Sequence, residues 1–515
     1  MVTKIATGAI CGVDCHIVSV EADVSSGLPQ VEMVGKLSPE VREAEKRVRS
    51  ALKNSGLLLP PKHITINIAP ADLQKTGTAY DLPIAVALLC ASGMIPEEYI
   101  GSTLIAGELS LDGRIRGVRG VLPMVLEARK EGITKIMVPE ENLAEASACE
   151  GIKAVGVKEL SEVAEYYLLP QDKQDKLIAP KECRAWLERE SRIEEDFADI
   201  KGMAQVKRAM KIAAAGFHNM LMIGPPGAGK TMAARRLPGI LPPITMEESL
   251  EVSRIYSVAG LLCDGSDLVR TRPFIAPHHT STMQALAGGG RIPIPGLISR
   301  AHKGVLFLDE VVHFSSASLE VLRQPMEDRK LLIARSNANY EFPAEFMLVA
   351  AMNPCPCGNY PDPSKCSCTT EQVRRYAGKM SGPLLDRIDI CVEAGRMNVE
   401  EVMGKDKGSP GESSGMMRRD VMRARAMQNK RFDGSTLQFN AQMSVREIEE
   451  FIPLGKEEKK FMEQSYVRLN MSPRSFHRIL KVARTIADLE ESEKVEKKHL
   501  MEAVCYRGIE ERYRR

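Results

Sequence analysis

A chain of 515 residues exceeds what one ordinary hydrophobic core organises, so two or three domains are expected. Apolar residues make up 44% and charged residues 27%, a globular composition that excludes a disordered or fibrous chain. Lys plus Arg (70) nearly balances Asp plus Glu (68), so any nucleic-acid-binding surface must be local.

Residues 1 to about 170 read as a separate α/β domain. Short alternating strands fit Ile17–Val20 and His63–Ile68, and helical patterns fit Pro39–Ser55 and Pro83–Ser92. A turn-and-strand unit, Gly107–Arg114, precedes a helix near Leu122–Lys130. The opening residues carry no signal-peptide pattern. The longest apolar run, Leu82–Ile95, is interrupted by Pro83, Ser92 and Gly93 and is too short to span a membrane. A soluble, cytoplasmic protein without membrane contact is expected. Residues 171–196 are polar, contain the single Trp186, and read as a linker.

A second domain, 197–394, holds the chemistry. Leu221–Ile223 reads as a strand end, and Met232–Arg236 as the start of a helix. Between them runs Gly224-Pro225-Pro226-Gly227-Ala228-Gly229-Lys230-Thr231, with the spacing of a phosphate-binding loop. Its glycines let successive backbone N–H groups turn toward phosphate oxygens. Lys230 reaches the β and γ phosphates, and the Thr231 hydroxyl can ligate Mg2+. ATP and Mg2+ are therefore the expected ligands.

Further along, Gly304–Leu308 reads as a buried parallel strand ending in Asp309 and Glu310. Asp309 would hold the Mg2+ shell, and Glu310 would orient and deprotonate the attacking water. A third apolar strand, Phe346–Met352, ends at Asn353. Its side chain could contact the γ-phosphate or the water; a cap before Pro354 is the plainer alternative. The segment Ser381–Asp389 contains Arg387, which a compact α/β unit would keep away from its own site. It could serve a neighbour as an arginine finger, or pair with Asp386 or Asp389 at the surface.

Eight of the twelve cysteines are scattered and read as small buried hydrophobes. The other four, Cys355, Cys357, Cys366 and Cys368, form C-x-C-x8-C-x-C around the turn-rich Gly358–Pro363. Four thiolates on one loop suit tetrahedral Zn2+ in a structural role, with free or redox-labile thiols as the alternative.

Residues 395–415 are rich in Gly, Ser and Pro and read as a flexible connection to a helical lid, 416–515. Helix starts are expected at Ser444, at Ser472-Pro473-Arg474 and near Lys497. Arg474, with Arg478 in reserve, could report nucleotide state to the lid. Three basic features are candidates for DNA contact. The helix Arg418–Arg431 is one, with a solvated face as its alternative. A hairpin with a Ser336-Asn337 turn could carry Lys330 and Arg335 into a channel, and the glycine-rich loop Gly288–Gly296 could carry Arg291 there. An edge strand and an ordinary loop are the alternatives for these two. Pro277-His278-His279 could contact metal or phosphate, although adjacent histidines are more often structural.

With these motifs in place, the chain resembles the magnesium-chelatase-like AAA+ ATPases of the YifB/ComM competence-protein family. The resemblance rests on Gly224–Thr231, Gly304–Glu310, Ala350–Gly358, Ser381–Asp389 and Ser472–Leu489, with Asp199–Gly202 and Ala213–Asn219 upstream, and it covers nearly the whole chain. It implies that Lys230, Thr231, Asp309, Glu310, Asn353 and Arg387 handle nucleotide in a ring-shaped, hexameric homo-oligomer. It further implies ATP-driven branch migration on single-stranded or branched DNA.

The first domain resembles the Lon-protease-like fold over Thr76–Pro83 and Gly107–Ala128. Ala79 stands at the serine position, and Leu122 or Met124 where the lysine would fall, so no peptide hydrolysis is expected. Two departures from the family pattern flank the catalytic strand. Leu297 replaces an acidic residue, and Val311-Val312-His313-Phe314 replaces Leu-Pro-Glu-Phe. A chelatase-type motor acting on a tetrapyrrole and a non-proteolytic scaffold are the competing functions.

Overall fold

The computed structural model describes residues 2–178, 195–262, 268–335, 338–395 and 412–514. Most of the expected linker, Trp186 included, the Ser336-Asn337 turn and most of the 395–415 connection lie outside these residues.

The first sheet has seven strands in the order Gln30–Val34, His63–Ala69, Asp14–Ser25, Thr3–Cys11, Thr103–Ile105, Lys135–Pro139, Lys153–Val157. Its centre is a long antiparallel hairpin pairing Thr3 with Ala22 and Cys11 with Asp14. The two-residue turn requires Gly12, whose φ of 66° is left-handed. Strand Asp14–Ser25 alternates buried and more exposed residues, as a half-buried strand should. The remaining pairings are parallel from Thr3–Cys11 onward through Thr103–Ile105 to Lys153–Val157.

Helices Ala44–Asn54 and Asp81–Ala91 cover one face, and Val121–Lys130 the other. The apolar run Leu82–Ile95 thus forms a core helix, buried at every position from Asp81 to Cys90. No helix of the described residues is long and apolar enough to cross a membrane. The continuous helix expected over Pro39–Ser55 is instead two, Pro39–Arg42 and Ala44–Asn54, joined at Glu43.

The second sheet is parallel throughout, in the order Phe274–Ile275, Val305–Leu308, Met347–Met352, Met220–Ile223, Ile390–Glu393. The three inner strands are wholly buried, which explains their unbroken apolar sequences. Alternate residues serve opposite faces. Met220, Met222, Val305, Phe307, Val349 and Ala351 pack toward helix Ala204–Gly216 and the C-terminal helices. Leu221, Ile223, Leu306, Leu308, Leu348 and Ala350 pack toward the layer holding Leu286, Ile298 and Leu384.

The C-terminal region is helical: Ser414–Arg431, Val445–Phe451, Lys456–Arg468, Pro473–Leu489 and Lys497–Arg514. Gln428 donates to the Ala215 carbonyl, and the Phe217 and Phe439 rings stack 4.7 Å apart, tying these helices to the sheet's outer layer.

The two sheets are joined through the first hairpin and helix Met246–Ala259. Val13, at the hairpin tip, is buried in the second sheet's core. Arg254 donates to the Val13 carbonyl at 3.2 Å and pairs with Asp14. Ser257 hydrogen-bonds buried Glu145, and the Gly120 amide donates to the Ser257 carbonyl.

Candidate active site

Parallel strands place their following loops along one edge, where α/β sheets gather ligands. Ile223 pairs with Met352, and Leu308 with Ala350. Gly224, Asp309 and Asn353 therefore emerge side by side although 129 positions separate the first from the last. Pro226 to Met232, Asp309, Glu310, Met352 and Asn353 line a cavity of about 360 Å3.

The local chain conformation depends on glycine at three points. A side chain on Gly224 would overlap the Ala394 carbonyl, while Gly227 and Gly229 have φ of 76° and 81°. Helix Lys230–Arg236 follows. The Lys230 ammonium donates to the Gly224 and Pro225 carbonyls at 2.6 and 2.9 Å and to Asn353 Oδ1 at 3.2 Å. Burial pushes its pKa down, opposed by Asp309 and Glu310, so the lysine is a desolvated cation short of a strong anionic partner. The Thr231 hydroxyl donates to Asp309 Oδ2 at 2.6 Å, placing two hard oxygen donors together as Mg2+ requires. Glu310 is exposed to the cavity with a φ of 48°, a left-handed conformation that costs about 1–2 kcal/mol for a non-glycine residue. These features fit a triphosphate with its divalent cation.

Sequence reasoning missed two neighbours of this cavity. Met203, itself left-handed, brings its sulfur within 3.2 Å of where a Gly229 side chain would begin. Tyr376 is coupled to the Asn353 backbone and Glu310, and burial raises its phenol to about 12. Neither carries a local signal. The ring contacts His278–His279, His279–His313 and His313–Tyr376 run outward from that tyrosine. His278 Nδ1 lies 2.8 Å from the Thr280 hydroxyl, a local turn contact.

The four cysteines come together, with all sulfurs within 4.8 Å of one another. Three of the separations are 3.3, 3.6 and 3.8 Å. The edge of a tetrahedron with Zn–S bonds of about 2.3 Å is about 3.8 Å, so the donor set fits Zn2+ with modest adjustment. This knot leans on the phosphate loop: an alanine Cβ at Gly358 would lie 2.5 Å from Pro226 Cδ.

Arg387 and Arg474 do not join the cavity of their own chain. Arg387 precedes strand Ile390–Glu393, at the amino-terminal edge of the sheet, a strand length of roughly 13 Å from the phosphate-loop edge. Neither of its expected surface pairings forms. Its guanidinium meets Glu327 at 2.8 Å and donates to the Pro383 carbonyl at 2.7 Å. Arg474 also meets Glu327, at 3.1 Å. Asp389 pairs with Arg478 instead; burial pushes its carboxyl up, but Arg478, His218 and the Asn219 amide hold it well below the usual range.

Among the basic candidates, Lys330 pairs with Glu341 across the hairpin Lys330–Ala334/Asn339–Pro343. Arg335 Nε donates to the Gly290 carbonyl, linking that hairpin to the glycine-rich loop. The loop itself turns toward the first domain: Arg291 lies near Glu40, and Ile292 and Ile294 cap a cleft also lined by Thr76–Ala79 and Met124. Ala79, Leu122 and Met124 share one apolar cluster, and Ala79 and Met124 also line that cleft. In helix Ser414–Arg431, Arg423 and Arg431 are taken by carboxylates and Arg425 lies over the Phe439 ring.

Comparison with known proteins matches residues 196–402 to the family model described as magnesium chelatase, subunit ChlI, and residues 411–507 to its C-terminal model. Residues 20–142 match the model of subunit ChlI of Mg-chelatase. YifB of Escherichia coli K12 is 42% identical over 98% of this chain and 96% of its own length. The chain belongs to the YifB/ComM magnesium-chelatase-like family of AAA+ ATPases. Another member of that family, competence protein ComM of Haemophilus influenzae, is 39% identical over 97% of this chain and 96% of its own. The magnesium-chelatase 67 kDa subunit of Chlorobaculum parvum is 29% identical over only 31% of this chain.

Proposed function

We propose that this YifB/ComM-family ATPase is a DNA motor, assembled as a hexameric ring in the cytoplasm, that hydrolyses ATP at sites shared between neighbours. One observation carries the shared site: Arg387 and Arg474 lie at the edge of the sheet opposite the phosphate loop. One subunit therefore supplies Gly224–Thr231, Asp309, Glu310 and Asn353, and the next supplies the guanidinium. Lys230 holds the β and γ phosphates, and Asn353 holds Lys230 in place. Glu310 takes the proton of the water that attacks the γ-phosphorus. Thr231 and Asp309 would hold Mg2+, which neutralises charge between the β and γ phosphates. Arg387 of the neighbour offsets the charge that develops on the departing ADP oxygen.

The hairpin bearing Lys330 and Arg335 is the proposed grip on single-stranded or branched DNA. The Lys330–Glu341 pair is exposed on both sides and weak enough to yield to a phosphate. The name of the Haemophilus relative points to the same setting, recombination of incoming DNA. The cysteine knot is assigned a structural Zn2+. The matching family models are named for a chelatase subunit, but the relatives that cover nearly the whole chain are YifB and ComM, whereas the Chlorobaculum chelatase subunit covers 31% of it, so a chelatase role is the second reading.

Two measurements test the proposal. ATP turnover on protein sized by light scattering should rise with forked or four-way DNA; no stimulation by any DNA would remove the DNA role. Mixing Arg387→Ala with Lys230→Ala subunits, each inactive alone, should restore turnover, because some interfaces then join an intact cradle to an intact finger. Absence of restoration would refute the shared site.

A further inference from the structure

We propose that Glu327 is a positioning residue of the joint ATP site, holding in the free subunit the two arginines that the neighbour's γ-phosphate takes on engagement. The inference rests on the shared-site reading above.

A single carboxylate oxygen, Glu327 Oε1, meets both Arg387 Nη2 and Arg474 Nη2, at 2.8 and 3.1 Å. The two cations come from segments 87 positions apart. Two guanidinium groups converging on one terminal oxygen is also how a terminal phosphate oxygen is bound. The nearby acids are otherwise engaged: Asp386 meets Arg507, and Asp389 meets Arg478. Arg387 is only partly satisfied, since its Nε is buried without a hydrogen-bond partner. It is held by Glu327 and Pro383 but not locked on every side.

The structure also offers Glu327 somewhere to go. Its side chain is 37% exposed, against 8% for Asp389. It borders a polar cavity of about 290 Å3 whose charged lining is Arg329, Arg478 and Lys481 with Glu345 and Asp389; Asp389 engages Arg478 and Glu345 lies near Arg329, which leaves Lys481. Lys481 donates to the Ala441 carbonyl, and among the described residues no carboxylate hydrogen-bonds it. A carboxylate displaced from the arginines would find the Lys481 ammonium there.

ATP and ADP differ in this account. A γ-phosphate carries more charge than a carboxylate and can draw both arginines away from Glu327. ADP lacks the group that competes, so with ADP bound the arginines stay on Glu327. Removing the carboxylate charge therefore helps ATP alone. Glu327→Gln keeps the shape and removes the charge.

The experiment is steady-state turnover of the full-length chain, with the ATP KM and the ADP inhibition constant measured for wild type, Glu327→Gln and Glu327→Asp, each checked by thermal melting. Arg387→Ala is run in parallel. The expected result is at least a threefold fall in ATP KM for Glu327→Gln with the ADP constant unchanged, and a smaller fall for Glu327→Asp. An unchanged or raised ATP KM, or parallel shifts for ATP and ADP, overturns the proposal. If Glu327→Gln fails to fold, Glu327→Asp decides by direction: a fall in ATP KM with the ADP constant unchanged supports the proposal, and no fall or parallel shifts overturn it. Full turnover by Arg387→Ala would instead overturn the shared-site reading itself.

Discussion

Replacing Gly358 with alanine should damage ATP turnover far more than it damages the fold. Gly358 has a φ of 79°, so an alanine there costs about 1–2 kcal/mol in backbone energy. Its Cβ would stand 2.5 Å from Pro226 Cδ, inside the 3.4 Å at which ordinary contact begins. The cysteine knot and the phosphate loop must then part by about 0.9 Å, since Pro226 is a rigid ring next to Gly227. A displacement of about 1 Å at a group that positions the reacting phosphate costs up to about 100-fold in rate. Steady-state assays should therefore find kcat/KM for ATP reduced by about 10- to 100-fold. The backbone cost alone lowers the melting temperature by only about 2–8 °C. Gly358→Asn separates the two effects: asparagine tolerates the left-handed backbone but carries the same Cβ. It should retain more stability than the alanine variant and lose as much turnover. A kcat/KM within twofold of wild type for both variants would refute the buttressing argument.

Glu310→Gln should reduce turnover by about 100- to 10,000-fold while ATP still binds, measured by equilibrium binding of labelled nucleotide; retained hydrolysis would exclude Glu310 as the base. Metal analysis should find one zinc per chain; chelation should slow turnover and zinc alone should restore it, whereas protein active without zinc would leave the knot unmetallated. Lys481 supplies a pH prediction. Burial holds its folded pKa down at about 8, below an unfolded value of about 10.4. The unfolded chain then binds more protons between those values, so the lysine's destabilising contribution is complete below pH 8 and fades as pH rises to about 10.4. Lys481→Met should raise stability near pH 7 by about 1–3 kcal/mol and flatten this rise, followed by denaturant melts across pH. An unchanged melt at pH 7 would show that the ammonium is not desolvated.

What could be read in advance was what short stretches of chain encode. The phosphate loop, the Asp309-Glu310 pair and the cysteine spacing each declare their chemistry within a few residues. Parallel pairing then brings Gly224, Asp309 and Asn353 to one edge, an outcome implied by three apolar runs that end at the phosphate loop's first glycine, at Asp309 and at Asn353. Glu327 was illegible because nothing near Pro325–Asp328 announces partners 60 and 147 positions later. For the glycine-rich loop, composition leaves a channel projection and an ordinary loop equally open. In the structure Ile292 and Ile294 line a cleft together with Met124 of the first domain and Val258 of helix Met246–Ala259, partners no local pattern announces. The break at Glu43 is equally silent in a segment whose composition favours helix throughout.

The seat of Val13 gives the first sheet a mechanical role. With that valine seated in the second sheet's core and Arg254 clasping the same turn, the hairpin is fixed at its root. A slight tilt of helix Met246–Ala259 would be magnified at the outlying strands Gln30–Val34 and Lys153–Val157. The first domain is thus rooted at this turn in the nucleotide-binding domain.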